Sequence, residues 1–266
     1  MNLTKKYMTK NRCYTNGTKI QVTKLVLHST GCAQPDADVH IGNWNTAISS
    51  ACPHAFIETD RVVQTLPWDF KGWHVGLGSK GSYNSCSIGV EICEPKGHTY
   101  KNGSTMVNYD VKKNEEYFAK VYENAVELFA RLCYDFLLDP MKDILCHSEV
   151  HALGYGSNHG DVMHWFPKHG KSMDTFRADV RARIMANAVP NSTITVNSST
   201  DDINWLKSKI NKVIDGIYPK LDLNGVYDAK TRIAVLITWE LFGWNKDGQD
   251  DGWRAGAKTI KRLTQY

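Results

Sequence analysis

The sequence predicts an α/β protein: a mixed central β-sheet flanked by helices, followed by a small all-α C-terminal domain. Short apolar or β-branched runs bounded by turn residues recur through residues 1–185, and longer segments with helical spacing fall between them. Strands interspersed with helices build one sheet covered by helices. A small, polar, Pro-containing stretch over 186–202 then reads as a linker, and residues 203–266 carry a pattern of turn followed by helix, twice. The chain is long enough for one large domain plus a small one.

The strands predicted in order are Lys24–Ser29, Ala55–Thr59, Val62–Leu66, Ser87–Cys93 and Asp143–His147. Asp60-Arg61 places a turn between the second and third, which makes them a hairpin. In Asn114–Leu138, Tyr117, Phe118, Val121, Tyr122, Ala125, Leu128, Phe129, Leu132 and Phe136 recur near the 3.6 period, the signature of an amphipathic helix. Met173–Met185 is a second helix, with Asp174 as its expected N-cap, and Asp36–Ala47 is a third. In the tail, Ile203–Ile214 and Ala229–Phe242 are helical by pattern. A turn over Asp247–Gly252 leads to a last helix ending near Leu263. This reads as a small helical bundle.

Composition excludes several classes. Hydrophobic residues make up 42% and charged residues 23%, ordinary globular material. The net charge of +4 is a mild excess with no basic stripe, so nucleic acid is not an expected partner, although it would help at an anionic wall. No apolar run approaches the ~20 residues of a membrane span, so no membrane insertion is expected. Basic residues near Met1 are not followed by an apolar segment, so no secretory signal is expected and synthesis in the cytoplasm follows. The seven cysteines are odd in number and lack any C-x-x-C pair, which argues for buried thiols rather than a disulfide framework. There is no G-x-S-x-G elbow, phosphate-binding loop, dinucleotide fingerprint or H-E-x-x-H.

Two histidines and one aspartate stand out as candidate metal ligands: His28 and His147, each at the end of an apolar run, and Asp161 in the loop 157–167. Two imidazoles and a carboxylate leave a fourth zinc position open for water, the mark of a catalytic zinc site. His54, His74, His151 and His164 compete for the same role, and local spacing among ten histidines does not choose between them. Glu91 is a carboxylate inside an otherwise apolar strand, on the face opposite Ile88, Val90 and Ile92. It reads either as a salt-bridged or edge residue or as a general base with a raised pKa. His159, two residues before Asp161, is either a surface loop residue or a donor to a developing oxyanion.

Five motifs then occur in order: Val26-Leu27-His28-Ser29-Thr30, Trp73-His74-Val75-Gly76, Asn84 with Ser87-Ile88-Gly89-Val90-Glu91, Cys146-His147-Ser148-Glu149, and Asp161 with Trp165-Phe166-Pro167. Together they resemble the zinc-dependent N-acetylmuramoyl-L-alanine amidases of the amidase-2 type, related to peptidoglycan recognition proteins, over roughly residues 20–185. The likeness is to phage endolysins and autolysins of Gram-positive, clostridial-like origin. It implies His28, His147 and Asp161 as the zinc ligands and Glu91 as the catalytic carboxylate. His159 falls where many relatives place a lysine, and His74, Trp73 and Asn84 match the substrate cleft. Cys146 stands where a small residue is usual. The implied activity is hydrolysis of the amide between N-acetylmuramic acid and L-alanine of the stem peptide, with peptidoglycan as partner and Zn2+ as cofactor. The enzyme would reach the wall after release, by a holin if it is a phage endolysin. A non-catalytic recognition module and a zinc endopeptidase are the alternatives. Leu223-Asn224-Gly225-Val226-Tyr227-Asp228 before an apolar helix is similar to small helical peptidoglycan-binding domains, with Asn224 for the usual Asp and Asp228 for the second Gly.

Overall fold

The computed structural model describes residues 1–102, 105–187, 189–244 and 250–266. The chain divides into two compact units, Met1–Arg181 and Ala182–Tyr266. In chain order the first carries β1 (Leu3–Lys5), α1 (Arg12–Asn16), β2 (Lys24–Ser29), α2 (Ala37–Trp44), β3 (Ala55–Ile57), β4 (Val62–Gln64) and β5 (Ser87–Ile92). These are followed by β6 (Thr99–Lys101), β7 (Thr105–Val107), α3 (Glu115–Phe136), α4 (Pro140–Asp143), β8 (Ile144–Cys146) and α5 (His147–Leu153). Helix α6 (Met173–Asn187) runs across the division.

The central sheet has six strands in the order β1-β4-β3-β5-β2-β8. β3 and β4 pair antiparallel as the Asp60-Arg61 hairpin, and every other neighbouring pair is parallel, so the sheet is mixed as expected. Parallel strands need covering on both faces, which is why Leu25, Val26 and Leu27 are all fully buried in β2. The apolar stripe of α3, from Phe118 through Leu132, is buried as its spacing requires.

Register is what matters for the site. In β2 and β5, His28 pairs with Glu91, and in β2 and β8, Leu27 pairs with Cys146. Side chains at paired positions share a face, about 4.8 Å apart. Three adjacent parallel strands therefore deliver Glu91, His28 and the residue after Cys146 to the same carboxyl-end edge, where α/β sheets place their ligands.

Three local differences from the sequence reading have physical causes. His147 does not close a strand; it opens α5, where the Glu149 carboxylate accepts from the Cys146 N–H at 3.0 Å in a capping box. The cap of α6 is Ser172, whose hydroxyl accepts from Thr175 N at 3.2 Å, while Asp174 pairs with Arg177. Short β1, α1 and the β6–β7 hairpin had no periodicity long enough to read.

The second unit contains β9 (Ile194–Thr195), α7 (Thr200–Val213), α8 (Ala229–Leu241), β10 (Arg254–Ala255) and α9 (Ala257–Leu263). Its helices enclose a core that includes Trp205, Leu206, Val235 and Leu263. A two-residue antiparallel ladder, β9 with β10, adds to the helices and draws part of the 186–202 stretch into this unit. Lys207, only 1% exposed, places Nζ 2.7 Å from Asn224 Oδ1 and 3.0 Å from Asp222 O, and so ties down the turn that precedes α8. Ala188 and the first part of the Asp247–Gly252 turn lie outside the described residues. No described helix is long and apolar enough to cross a membrane. All seven cysteines are free, and five of them are buried.

Candidate active site

A cavity of about 1150 Å³ opens at the carboxyl-end edge and is lined by His28, His74, Glu91, His147, His159 and Asp161, among others. His28 is 1% exposed and Asp161 8% exposed. Their side chains meet, with His28 Nδ1 2.8 Å from Asp161 Oδ2 and His147 Nδ1 3.5 Å from Asp161 Oδ1. The opposite ring nitrogens are held from behind: His28 Nε2 by His74 Nδ1 at 3.0 Å, and His147 Nε2 by Ser157 Oγ at 3.2 Å. Among the described residues this is the one group of three or more such side chains whose ligand atoms converge, all within 4.8 Å of one another.

Electrostatics suits a cation here. Burial pushes the pKa of His28 down, while Asp161, 2.8 Å from its Nδ1, works against that shift. Burial alone would raise Asp161, but hydrogen bonds from His147 and His28 hold it well below the usual carboxylate range. Imidazole nitrogens converging on an ionised carboxylate are the donor set that a divalent metal takes.

The competing histidines are engaged elsewhere. His54 Nε2 lies 2.8 Å from Phe70 O, and its Nδ1 accepts from Gly89 N at 3.0 Å; burial lowers its pKa to about 4. His74 meets the His28 ring edge to face, behind it rather than beside Asp161, and burial together with His28 and His54 lowers its pKa. Asn84 Oδ1 accepts from both His74 N and Val75 N, at 3.0 and 3.1 Å, and so fixes this segment. Gly89 is required on the adjacent strand, since a Cβ there would lie 2.2 Å from His74 Cγ. His151 is exposed and faces Gly156 O. Trp73 lines the cavity, its backbone pinned to Cys52.

Glu91 is half-buried, and its Oε2 is out of water with no hydrogen-bond partner among the described residues. Burial, then Asp161 and Glu94, raise its pKa well above the ordinary value. A buried carboxylate oxygen without a partner is costly, and perturbed groups of this kind cluster at functional sites. His159 is exposed; its ring lies 4.6 Å from that of His147, and its Nδ1 is 3.1 Å from Ser157 Oγ.

Sequence reasoning missed a second polar network on the same wall. Glu94 is fully buried and accepts four hydrogen bonds: from Gly31 N at 3.1 Å, His98 Nε2 at 2.9 Å, Tyr100 Oη at 2.7 Å and His164 Nε2 at 3.1 Å. Burial would raise Glu94, but the bonds from His164, His98 and Tyr100 overcome it and hold the pKa at about 2. This carboxylate joins the loop after β2, the β6–β7 hairpin and the Asp161 loop. His164 is thereby spent on Glu94, Tyr100 and Ser29. Gly31, the His98–Tyr100 pair and His164 come from three separate segments, so no local spacing announces the network.

Residues 18–161 match the model of a protein family described as N-acetylmuramoyl-L-alanine amidase. The chain belongs to this amidase family. Among curated relatives, it is 26% identical to the N-acetylmuramoyl-L-alanine amidase BlyA of Bacillus subtilis over 149 residues, 55% of this chain and 40% of that one. It is 31% identical to the Bacillus subtilis amidase CwlH over 91 residues, 34% of this chain and 36% of that one. The chain thus spans well under half the length of these relatives. In fold it is similar to the Staphylococcus aureus hydrolase AmiA, solved in complex with its ligand, with a TM-score of 0.51, 22% identity, and coverage of 70% of this chain and 84% of that one. It is likewise similar to the PlyG catalytic domain, with a TM-score of 0.51, 18% identity, and coverage of 72% and 100%. These likenesses show the amidase fold: a mixed sheet flanked by helices.

Proposed function

We propose that this amidase-family chain is a peptidoglycan hydrolase that cleaves the amide between N-acetylmuramic acid and L-alanine of the stem peptide, acting as an endolysin or autolysin. The observation that carries the reading is a half-buried carboxylate, Glu91, with one oxygen out of water and unpartnered among the described residues, sharing one cavity with the converging His28, His147 and Asp161. The donor set of two imidazoles and one carboxylate fits zinc with an open position. Bound there, zinc supplies Lewis acidity for the scissile carbonyl and lowers the pKa of water towards ~7.

The chain's own residues supply the rest. Glu91, raised in pKa by burial, takes the proton of the attacking water and passes it to the leaving amine. His159, held by Ser157, donates a hydrogen bond to the developing oxyanion. His74 and Ser157 hold the outer nitrogens of His28 and His147, fixing ring orientation. Trp73, His74 and Asn84 form or brace the substrate wall. A complete ligand set together with Glu91 favours an enzyme over a recognition module. The second unit, with its Asn224-Gly225 turn, would hold the enzyme on insoluble wall and raise its effective concentration.

The test is mass spectrometry of purified wall digested with and without a chelator. Chelator-sensitive release of stem peptides with a free L-alanine amino end is expected, with no new reducing sugar ends. Release of internal stem-peptide amino ends instead would assign the chain as an endopeptidase.

A further inference from the structure

Three of the free cysteines, Cys13, Cys52 and Cys93, are buried in one apolar cluster with Met8, Ile41 and Phe56. The amidase reading uses none of them. Cys13 and Cys52 come from segments far apart in the chain, and a single fully buried side chain, Asn11, clamps those segments together. Its Oδ1 accepts from Cys13 N at 2.9 Å. Its Nδ2 donates to the carbonyl of the Ala51–Cys52 peptide at 3.0 Å and to Trp44 O at 2.9 Å. The two thiols meet beside this clamp: contact with Cys13, then burial, pushes the Cys52 thiol well above its ordinary pKa.

The two sides of the pair differ in how firmly they are held. Cys52 N donates to Trp73 O at 2.8 Å, and Trp73 N donates to Cys52 O at 3.0 Å. Its neighbours Ser50, Ala51 and Pro53 line the cavity together with Trp73. Cys13 lies in α1, a helix of five residues, and the strand before it, β1, has three residues at the edge of the sheet. Short elements at an edge open at low cost. A cross-link between the two would close a loop of about 40 residues and tie this light segment to the cavity wall.

We propose that Cys13 and Cys52 form a dithiol that oxidises to a disulfide and staples the N-terminal segment to the cavity wall. The oxidant is a small-molecule disulfide. One protein sulfur, as thiolate, displaces half of it, and the other protein sulfur then displaces the remaining half. One S–S bond forms in the protein as one breaks in the oxidant. Two electrons pass to the oxidant, and the two thiol protons end on its two released thiols. Burial keeps the thiolate scarce and out of reach, so exchange waits on opening of the N-terminal segment. At a bacterial wall, outside the reducing cytoplasm, the bond would persist. Its formation does not depend on the amidase reading.

The test incubates the full chain with bis(2-hydroxyethyl) disulfide and then removes the reagent. The expected product has an intact mass lower by two hydrogens, and fragmentation of its unreduced peptides joins Cys13 to Cys52. The melting midpoint of the first unit should rise by about 10 °C, the scale for a loop of this size, and fall back on addition of dithiothreitol. Cys13→Ala and Cys52→Ala should each lose both the bond and the rise. Because the bond is mapped in the wild-type chain, a variant that fails to fold leaves the test standing. A wild-type chain that stays reduced or stops at a mixed disulfide overturns the proposal. So does a bond from either residue to Cys93, or a Cys13–Cys52 bond without a rise in midpoint. Wall digestion is scored separately and bears on the amidase reading alone.

Discussion

Glu94→Gln gives the most direct check on the electrostatic reading of the site. Glu94 is fully buried and carries four donors, which hold its pKa at about 2 against an ordinary 4.5. A carboxylate with a depressed folded-state pKa stabilises the fold fully above its unfolded value, and that stability is lost as pH falls through the folded value. At neutral pH the shift is worth about 3 kcal/mol, taking 1.36 kcal/mol per pKa unit. Linkage leaves about 1.4 kcal/mol of this at pH 3. Glutamine is neutral throughout and turns an NH₂ towards donors that need an acceptor. The stability gap between wild type and Glu94→Gln should therefore be about 3 kcal/mol at pH 6–7 and shrink by about 2 kcal/mol at pH 3. Urea unfolding followed by near-ultraviolet circular dichroism, with the transitions of the two units fitted separately, measures it. A gap that is small at pH 7, or that does not narrow on acidification, would show that Glu94 is not the ionised hub described here.

Glu91→Ala should retain one zinc per chain and lose turnover by about 10²–10⁴-fold, because in the proposed mechanism the residue moves a proton and holds no metal; loss of zinc in that variant, seen by atomic absorption, refutes the assignment. Since burial raises the pKa of Glu91, its ionised form costs stability as pH rises above the unfolded value. Glu91→Gln should accordingly be inactive yet melt higher than wild type at pH 7, a difference that differential scanning calorimetry reads. Gly89→Ala drives a methyl into the His74 ring and should cost about 1–3 kcal/mol while weakening zinc binding, measured by unfolding and chelator competition. A chain ending near residue 189 should fold and cut soluble fragments but clear whole wall more slowly; an insoluble product would mean the first unit needs the second.

Much of the fold was legible because strand and helix periods are local. Lys24–Ser29 and the long Phe118–Leu132 stripe are read from neighbouring residues, and their boundaries in the structure agree closely. Shorter elements were not legible: three-residue strands such as β1 and β6 take their identity from a partner. His147 was assigned to a strand because an apolar run precedes it, and only the Glu149 capping interaction reveals a helix start. Five ordered motifs pointed to His28, His147, Asp161 and Glu91 through family resemblance, since ten histidines defeat spacing alone.

By itself, then, the sequence determined the α/β class, the helical tail, the absence of a long apolar span and the candidate residues, since each is written in neighbouring side chains. The tertiary structure decided which of them meet. Parallel register sets His28 beside Glu91, and strand pairing brings His147 to the same edge. Hydrogen bonds then remove His54 and His164 from contention, and Glu94 gains meaning only from partners across the fold. The physical reason is distance: periodicity acts over a few residues, whereas burial, register and charge pairing join residues more than a hundred positions apart, as with His28 and Asp161.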